Sequence, residues 1–378
     1  MIGLVLTGGG ARAAYQVGAL RALADLTSTG RHGARPFQIV AGVSAGAING
    51  AAIAAHVHDF PRAARDLWAM WTMLTPDCIY RTDVRSLSRT GRRWLREISL
   101  GGLFGAIGIN HLLDTAPLRR LLEARLETER VADRIADGTL HGFAITATNY
   151  ATGTAISFFD GAPGIVPWQR STRLGRRAAI GVQHVMASSA IPVFFPPIAL
   201  DGTFYGDGCV RVSAPLSPAI HLGADRVVAI GIRYHRSDEE AVRLNHQPHA
   251  EPPTISEIAG VLLNAVFLDA LEHDLERTER INRTVALIPP DRSSEQPLRQ
   301  VPVLALRPSE DLGRLAAQQF DRFPSALRYL LSGIGAKGAS GWDLVSYLAF
   351  EPVYIQRLLD LGYRDTMRRA DEVQAFFA

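Results

Sequence analysis

"LVLTGGGARAAYQVG" (residues 4–18) joins a short apolar run to a helical pattern through three consecutive glycines. The run from Ile2 to Leu6 is typical of a buried strand, and residues 13–24 have the pattern of a helix. A second unit follows, in which "QIVAGVS" (residues 38–44) leads into the small-residue helix "AGAINGAAIAAHV" (residues 45–57). Two strand–turn–helix units in succession predict an α/β protein with a mainly parallel sheet.

The glycine-rich turn is open to three interpretations. A turn between a strand and a helix N-terminus can bind phosphate, but Ala13 breaks the G-x-G-x-x-G dinucleotide fingerprint and the Gly-Lys-Ser/Thr of a P-loop is missing. The amides of Gly8, Gly9 and Gly10 suit an oxyanion hole, with Arg12 nearby to reinforce the field. A purely structural turn is the third interpretation.

The segment "AGVSAG" (residues 41–46) places Ser44 between Gly42 and Gly46, after a strand and before a helix. This is the pattern of a nucleophile elbow, whose sharp bend leaves no room for side chains at the flanking positions and lifts the serine hydroxyl out of the sheet. The helix that follows directs its amides and positive dipole end toward developing negative charge. A tight turn that needs small residues is the structural alternative.

A serine nucleophile needs a proton acceptor beside it. The segment "FYGDGCV" (residues 204–210) places Asp207 in a glycine-flanked turn after a strand. An Asp-Gly pair is also a common turn former. The residues alone therefore leave Asp207 as either the base for Ser44 or a turn residue.

Taken together, these segments resemble the patatin-like phospholipases. "GGGAR" (residues 8–12), "GVSAG" (42–46) and "DG" (207–208) are similar to the three signatures of that family, in the same order. "ASSAIPVFFPP" (187–197) resembles a stretch that the family carries before its aspartate, and "SYLAFEPVYIQRLLDLGYRDT" (346–366) resembles the end of bacterial members.

The resemblance implies a three-layer α/β/α sandwich with a mainly parallel central sheet, plus a helical C-terminal extension. It also implies a Ser–Asp dyad, in which Ser44 attacks an ester carbonyl and Asp207 accepts its proton and later activates water. The residues implied for the oxyanion hole are Gly8, Gly9, Gly10 and Arg12.

Two positions depart from the family pattern. Ala13 stands where the family usually has glycine, and Cys209 stands where it usually has glycine or alanine. Both replacements are small, so we expect the turns to persist. Cys209 is interpreted as a small buried residue rather than a nucleophile.

The extent of the resemblance and the polar composition of residues 235–253 together predict three parts. Residues 1–234 are expected to form the catalytic core, and residues 235–253 a polar loop. Residues 254–378 are expected to form a mostly helical extension packed on the core, with a helix at about 256–280 and strands near Val285 and Val303.

Composition argues against several other classes of protein. A formal charge of +3 over 378 residues is too small to indicate nucleic acid as a partner. Two cysteines exclude a disulfide framework and fit a reducing compartment. The chain starts without signal-peptide features and contains no run of about 18 apolar residues. We therefore expect a cytoplasmic protein. The family resemblance implies a lipid or acyl ester substrate and peripheral contact with a membrane.

Other patterns have a functional and a structural interpretation. An arginine-rich stretch meets either anionic lipid or solvent, and the apolar stretch 98–113 is either a lid or a buried connection. The apolar stretch 258–271 is interpreted first as a core helix and second as an interface. His184 is expected to be structural, and no histidine or acidic spacing indicates a metal or cofactor. The arginines are Arg85, Arg89, Arg92, Arg93 and Arg96.

The sequence thus predicts a serine lipid acyl hydrolase that acts on carboxylic esters of phospholipids, lysophospholipids or neutral lipids. The alternatives are an acyltransferase or thioesterase with the same serine, and a catalytically silent lipid-binding protein.

Overall fold

The described part of this computed structural model covers most of the chain. It comprises residues 1–28, 35–81, 111–234, 236–246, 252–289, 298–323 and 342–378, with the single residues 33, 325, 328 and 332. The arginine stretch 85–96 and all but the end of the apolar stretch 98–113 lie outside these residues.

One sheet organises the described residues. Its order is β10-β9-β1-β2-β3-β4-β6-β5, and β8 pairs with both β3 and β7. The five strands from β10 to β3 run parallel to their neighbours, whereas β4 is antiparallel to β3. The strands are β1 (Ile2–Leu6), β2 (Ile39–Val43), β3 (Gly142–Asn149), β4 (Thr154–Gly161), β5 (Gln169–Arg170), β6 (Arg173–Arg177), β7 (Ile198–Leu200), β8 (Thr203–Asp207), β9 (Arg226–Ile230) and β10 (Val303–Leu306).

Helices account for most of the remaining described residues. They are α1 (Ala14–Thr27), α2 (Ala45–Ala55), α3 (Phe60–Thr72), α4 (Pro76–Ile79), α5 (Ala116–Arg125), α6 (Arg130–Ala136), α7 (Val182–Ser188), α8 (Ser217–His221), α9 (Asp238–Asn245), α10 (Ile255–Phe267), α11 (Asp269–Ala286), α12 (Leu312–Ala317), α13 (Trp342–Leu348), α14 (Pro352–Met367) and α15 (Ala370–Phe377). No helix in the described ranges combines the length and apolar character needed to cross a bilayer.

The sheet has an apolar layer on each face, as a three-layer sandwich requires. Side chains alternate along β1, so that Leu4 and Leu6 join one buried cluster and Val5 joins the other. The first cluster contains residues of α1, α2, α3 and α14, and the second contains residues of α8 and α11. The predicted α/β/α architecture is therefore observed.

Three local expectations beyond residue 234 need correction. Residues 235–253 were expected to be a loop, but they include α9. The single helix expected at 256–280 is two helices, α10 and α11, that meet at Leu268. Val285 lies in α11 rather than in a strand, since this helix continues to Ala286, and an i,i+4 ion pair between Glu279 and Arg283 adds a small stabilisation to its last turns.

The long helices α1 and α14 pack with their backbones unusually close. A Cβ atom on Gly18 would lie 2.0 Å from the carbonyl oxygen of Leu359, and a Cβ on Gly362 would lie 2.0 Å from that of Tyr15. Because both contacts are with backbone atoms, a side chain at either glycine has to push the helices apart. This pair of glycines therefore allows α14 to pack directly against α1.

Replacing Gly362 with alanine should destabilise the protein by about 1–3 kcal/mol, the range for overpacked cores, although alanine favours a helix by about 1 kcal/mol over glycine. Chemical denaturation measures the effect. Gly50→Ala is the matched control inside α2, because its Cβ would make ordinary contacts at 3.4 Å and 3.5 Å with Val40 and Phe143. Equal unfolding midpoints for the two variants would contradict the close packing.

Candidate active site

The register of three strands brings Ser44 and Asp207 together. β4 occupies one edge of β3 along its whole length, so β2 and β8 share the other edge. β2 runs parallel to β3 and ends with Val43 opposite Thr146, whereas β8 runs antiparallel and ends with Asp207 opposite Ala147. The carboxyl ends of β2 and β8 therefore point at each other, and the residues that end or follow them meet.

Ser44 occupies a strained turn between β2 and α2. Its backbone has φ 56° and ψ −130°, a region that a non-glycine residue rarely adopts. A Cβ on Gly42 would lie 2.4 Å from the carbonyl oxygen of Gly46, and a Cβ on Gly46 would lie 2.2 Å from that of Leu6. The turn thus requires the glycines that the sequence pattern assigned to an elbow.

The Ser44 hydroxyl donates a hydrogen bond of 2.5 Å from Oγ to Oδ2 of Asp207. Both residues are buried, with exposed fractions of 1% and 0%. The second carboxylate oxygen, Oδ1, accepts a bond of 2.9 Å from the Cys209 amide. The carboxylate is therefore oriented by one backbone donor and aimed at one hydroxyl.

Burial dominates the electrostatics of this carboxylate. Loss of water around Asp207 raises its pKa to about 7, and the hydrogen bonds from Ser44 and Cys209 oppose that rise. The group is thus a much stronger base than an aspartate in water. Burial and the neighbouring Asp207 charge also raise the pKa of the Cys209 thiol well above its ordinary value, so this thiol stays protonated and is a poor nucleophile.

Two serines at the end of α7 hold the elbow from the other side. Ser188 Oγ accepts a bond of 2.9 Å from the Ser44 amide and donates one of 2.6 Å to the carbonyl oxygen of Thr146. Ser189 Oγ donates a bond of 3.0 Å to the Ser44 carbonyl oxygen. In the sequence these serines are part of the family-like stretch 187–197, and no role was predicted for them. The only sequence feature that could have indicated this role is the pair of adjacent serines next to an apolar, proline-rich segment.

The glycine-rich turn lies directly against the serine. A Cβ on Gly8 would lie 2.3 Å from Cys209 Sγ and 2.6 Å from the Ser44 Cβ. Gly10 has φ 55° and lines the same cavity as Ser44. The turn, the serine and the aspartate are therefore neighbours, and the absence of side chains at the glycines makes that approach possible.

The guanidinium of Arg12 requires a correction. Its Nε donates to Ser346 Oγ at 2.6 Å, its Nη2 donates to Asp343 Oδ1 at 2.7 Å, and it lies 4.4 Å from the ring centre of Tyr347. Among the described residues that line the cavity at Ser44, Arg12 does not occur. Since Asp343 neutralises its charge, Arg12 ties the glycine-rich turn to α13 rather than reinforcing an oxyanion hole directly.

An apolar cavity opens from Ser44. Ser44, Gly10 and Ser189 stand at its polar end, and the rest of its wall is almost entirely hydrocarbon. Its hydrocarbon wall matches the chemistry of an acyl chain. Because its open volume is only about 30 Å³, wall side chains have to move to admit a long chain. Its larger wall residues include Trp71, Leu74, Leu118, Leu122, Phe195 and Phe350.

A buried polar network fixes the wall beside the turn. Trp71 Nε1 donates to Asn49 Oδ1 at 2.8 Å, and Asn49 Nδ2 donates to Gln16 Oε1 at 3.1 Å. Gln16 Nε2 donates in turn to the carbonyl oxygens of Thr7 and Ile230. The network links the ends of β1 and β9 to α2 and α3, so the wall and the glycine-rich turn keep one arrangement.

Two of the described histidines, His184 and His221, have structural partners. His184 Nδ1 accepts from the Gly181 amide at 3.1 Å, and its ring packs on Phe158. His221 stacks on Trp168. Within the described ranges, no group of three or more histidine, cysteine or acidic side chains is arranged to hold a metal ion.

The raised pKa of Asp207 makes stability depend on pH. Between the ordinary value of 3.8 and about 7, the folded protein keeps a proton that the unfolded chain releases, so folding loses stability as pH rises through that window. Asp207→Asn removes the charge and should raise the free energy of unfolding at about pH 8.5 by on the order of 2 kcal/mol, and by much less at about pH 4.

Denaturant unfolding at both pH values measures this difference. Asp66→Asn, which changes an exposed carboxylate on α3, is the control and should leave the profile unchanged. A gain for Asp207→Asn that is equal at both pH values would contradict a buried ionised carboxylate.

Several solved structures are similar to the chain at low sequence identity. VipD from Legionella pneumophila is 13% identical with a TM-score of 0.35, over 98% of this chain and 66% of that one. Human GIVD cytosolic phospholipase A2, solved with a fluorophosphonate inhibitor, is 13% identical with a TM-score of 0.43, over 100% and 59%. A structure of ExoU with SpcU from Pseudomonas aeruginosa is 16% identical with a TM-score of 0.28, over 98% and 77%.

The chain spans slightly less than two thirds of the VipD chain and about three fifths of the human phospholipase chain. No curated protein sequence matches it significantly. The family model described as patatin-like phospholipase matches residues 4–220, which is more than half of the 378 residues and includes Ser44, Asp207 and the glycine-rich turn. The chain therefore belongs to the patatin-like phospholipase family.

Proposed function

We propose that the protein is a serine lipid acyl hydrolase that cleaves carboxylic esters of phospholipids, lysophospholipids or neutral lipids. The observation that carries this proposal is the 2.5 Å hydrogen bond from Ser44 Oγ to Asp207 Oδ2 at the polar end of an apolar cavity. A nucleophile, a base and a space for an acyl chain are what ester cleavage requires.

In the first half-reaction Ser44 Oγ attacks the ester carbonyl carbon while its proton passes to Asp207. The bond between the carbonyl carbon and the alkoxy oxygen then breaks, and the leaving alcohol takes the proton from Asp207. Because the carboxylate already accepts a hydrogen bond from the hydroxyl in the free protein, the proton transfer needs no side-chain rearrangement. The product of this step is an acyl-serine.

Negative charge develops on the carbonyl oxygen during the attack. The N-terminus of α2, which starts at Ala45 beside the nucleophile, directs its dipole toward that charge. The turn of Gly8, Gly9 and Gly10 supplies backbone amides from the opposite side, and its closeness to Ser44 supports this role. The Ser44 amide itself is engaged by Ser188, so the donors come from the neighbouring residues.

Water completes the cycle. Asp207, ionised again, takes a proton from a water molecule that attacks the acyl carbon, and Ser44 Oγ leaves and regains a proton. The apolar wall of the cavity holds the acyl chain through both steps. A shared carboxylate thus serves as base for the serine and then for water, without a histidine.

Substitution of the two residues separates this mechanism from a Ser–His mechanism. Ser44→Ala and Asp207→Asn should each reduce hydrolysis of p-nitrophenyl esters by about 1,000-fold or more. His184→Ala is the control, because His184 lies on α7, the helix that also carries Ser188. This variant should keep nearly full activity, since His184 contacts Gly181 and Phe158. A loss in His184→Ala as large as that in Asp207→Asn would refute the dyad.

A fluorophosphonate probe tests the nucleophile independently of turnover. Mass spectrometry of the labelled protein should find the adduct on the peptide that contains Ser44, and Ser44→Ala should stay unlabelled. Labelling together with hydrolysis of a lipid panel supports the hydrolase. Labelling without hydrolysis, but with transfer of the acyl group to an added alcohol, would indicate an acyltransferase instead.

The pKa of Asp207 predicts the pH dependence of the reaction. The base acts only when ionised, so kcat/KM for a p-nitrophenyl ester should rise tenfold per pH unit below about 7 and level off above it. Initial rates measured on wild type, with Ser44→Ala as the blank, give the profile. A rate that is constant from about pH 5 to about pH 8 would show that the group that accepts the proton has an ordinary aspartate pKa.

A further inference from the structure

Helix α10 presents an aliphatic face to solvent. Four of its side chains are large, apolar and exposed, with exposed fractions from 49% to 71%. They recur at spacings of three and four residues, which places them on one side of the helix. These residues, called the aliphatic face below, are Ile255, Ile258, Val261 and Leu262.

The opposite side of α10 is used for folding. Ser256, Gly260 and Phe267 are buried there, and the helix contacts α13 and the turn Gly208–Val210 that follows Asp207. The apolar sequence 258–271 predicts first a core helix. The structure shows instead that only one side is buried, so the outward apolar residues need another explanation.

Tyr347 connects α10 to the glycine-rich turn. Its hydroxyl donates to Asn264 Oδ1 at 3.1 Å, and its ring lies 5.0 Å from that of Phe267. Its carbonyl oxygen lies 2.1 Å from the position of a Cβ on Gly10, which borders the cavity. The helix that carries the aliphatic face is therefore linked through one residue, Tyr347, to the turn proposed to hold the oxyanion.

The charge on α10 is unusually low for a surface helix. Between residues 252 and 268 the only ionisable side chain is Glu257, at the first turn. A solvated helix face normally carries charged residues, and burying them in a lipid surface costs free energy. The aliphatic face avoids that penalty, and it also carries no lysine or arginine that would attract anionic headgroups.

The small size of the face argues against a protein partner. A stable protein interface takes about 20–30 residues from each side, whereas the aliphatic face consists of four side chains. Shallow insertion of one amphipathic helix into the headgroup region needs only such a stripe. A second copy of the chain is therefore a poorer occupant than a lipid surface.

We propose that the aliphatic face of α10 docks the protein on a phospholipid surface and places the cavity of Ser44 beside it. The proposal rests on the proposed function for its substrate, and it adds how a lipid in a bilayer is reached. Docking is driven by apolar burial, so it is independent of anionic lipid and of salt.

Flotation with phosphatidylcholine vesicles, with and without added phosphatidylglycerol, tests docking without using activity. Val261→Asp/Leu262→Asp should weaken vesicle binding by about tenfold or more, because a charge replaces buried aliphatic surface. Wild type should bind both vesicle types equally at low and high salt. Val166→Asp is the matched control, since Val166 is 74% exposed and follows β4, whose last residue pairs with Gly142 at the end of β3 away from Ser44.

Two kinetic measurements separate docking from catalysis. Hydrolysis of vesicle phospholipid should fall in Val261→Asp/Leu262→Asp by the same factor as binding, while hydrolysis of water-soluble p-nitrophenyl butyrate should match wild type and so report an intact fold. If wild type hydrolyses neither ester, the proposed function fails but flotation still decides docking.

Three outcomes would overturn the proposal. The first is unchanged vesicle binding in the double variant with normal butyrate hydrolysis. The second is vesicle binding that disappears in high salt or without phosphatidylglycerol. The third is a dimer in size-exclusion chromatography that Leu262→Asp converts to a monomer without any loss of vesicle binding, which would make the face an interface between two copies.

Discussion

The meeting of β2 and β8 along one edge of β3 is the constraint on which the site depends. β3 is long enough to pair with β2 through Thr146 and with β8 from Ala147 onward, so two strands of opposite direction end against each other. The hydrogen bond between Ser44 and Asp207 follows from that register together with the glycine-flanked turn at Ser44. A shift of β8 by one residue would turn the carboxylate to the other side of the sheet.

Two features of the Ser44–Asp207 site cost free energy of folding. Ser44 has a strained backbone, and Asp207 is a fully buried carboxylate whose raised pKa records the loss of water. The surrounding hydrogen bonds offset part of that cost. Thr148 Oγ1 donates to the Asp207 carbonyl oxygen at 2.7 Å, while Ser188 and Ser189 bind the Ser44 backbone. The arrangement therefore lowers stability and leaves a carboxylate whose pKa is raised to about 7.

Features set by residues close together in the chain could be predicted from the sequence, whereas contacts between distant segments could not. The elbow at Ser44 is set by its own glycines, and the α/β class by short periodic runs, so both were predictable. The contact between Cys209 Sγ and the bare Cα of Gly8 was not, because it joins residues 201 positions apart; it explains how cysteine fits where the family has a smaller residue. Arg12 was assigned by proximity in sequence, yet its partners Asp343 and Ser346 come from the far end of the chain.

Residues beyond 220 contribute strands and helices that position the candidate site. The family match ends at residue 220, but β9 and β10 form one end of the sheet, with β9 pairing directly with β1. Tyr347 packs its carbonyl against Gly10, and Arg12 anchors the same turn to α13 through Asp343. The close approach of α1 and α14 then fixes that helix layer in place. Because α10 rests on α13 as well, any force applied at its outward face acts on the contacts that position the glycine-rich turn.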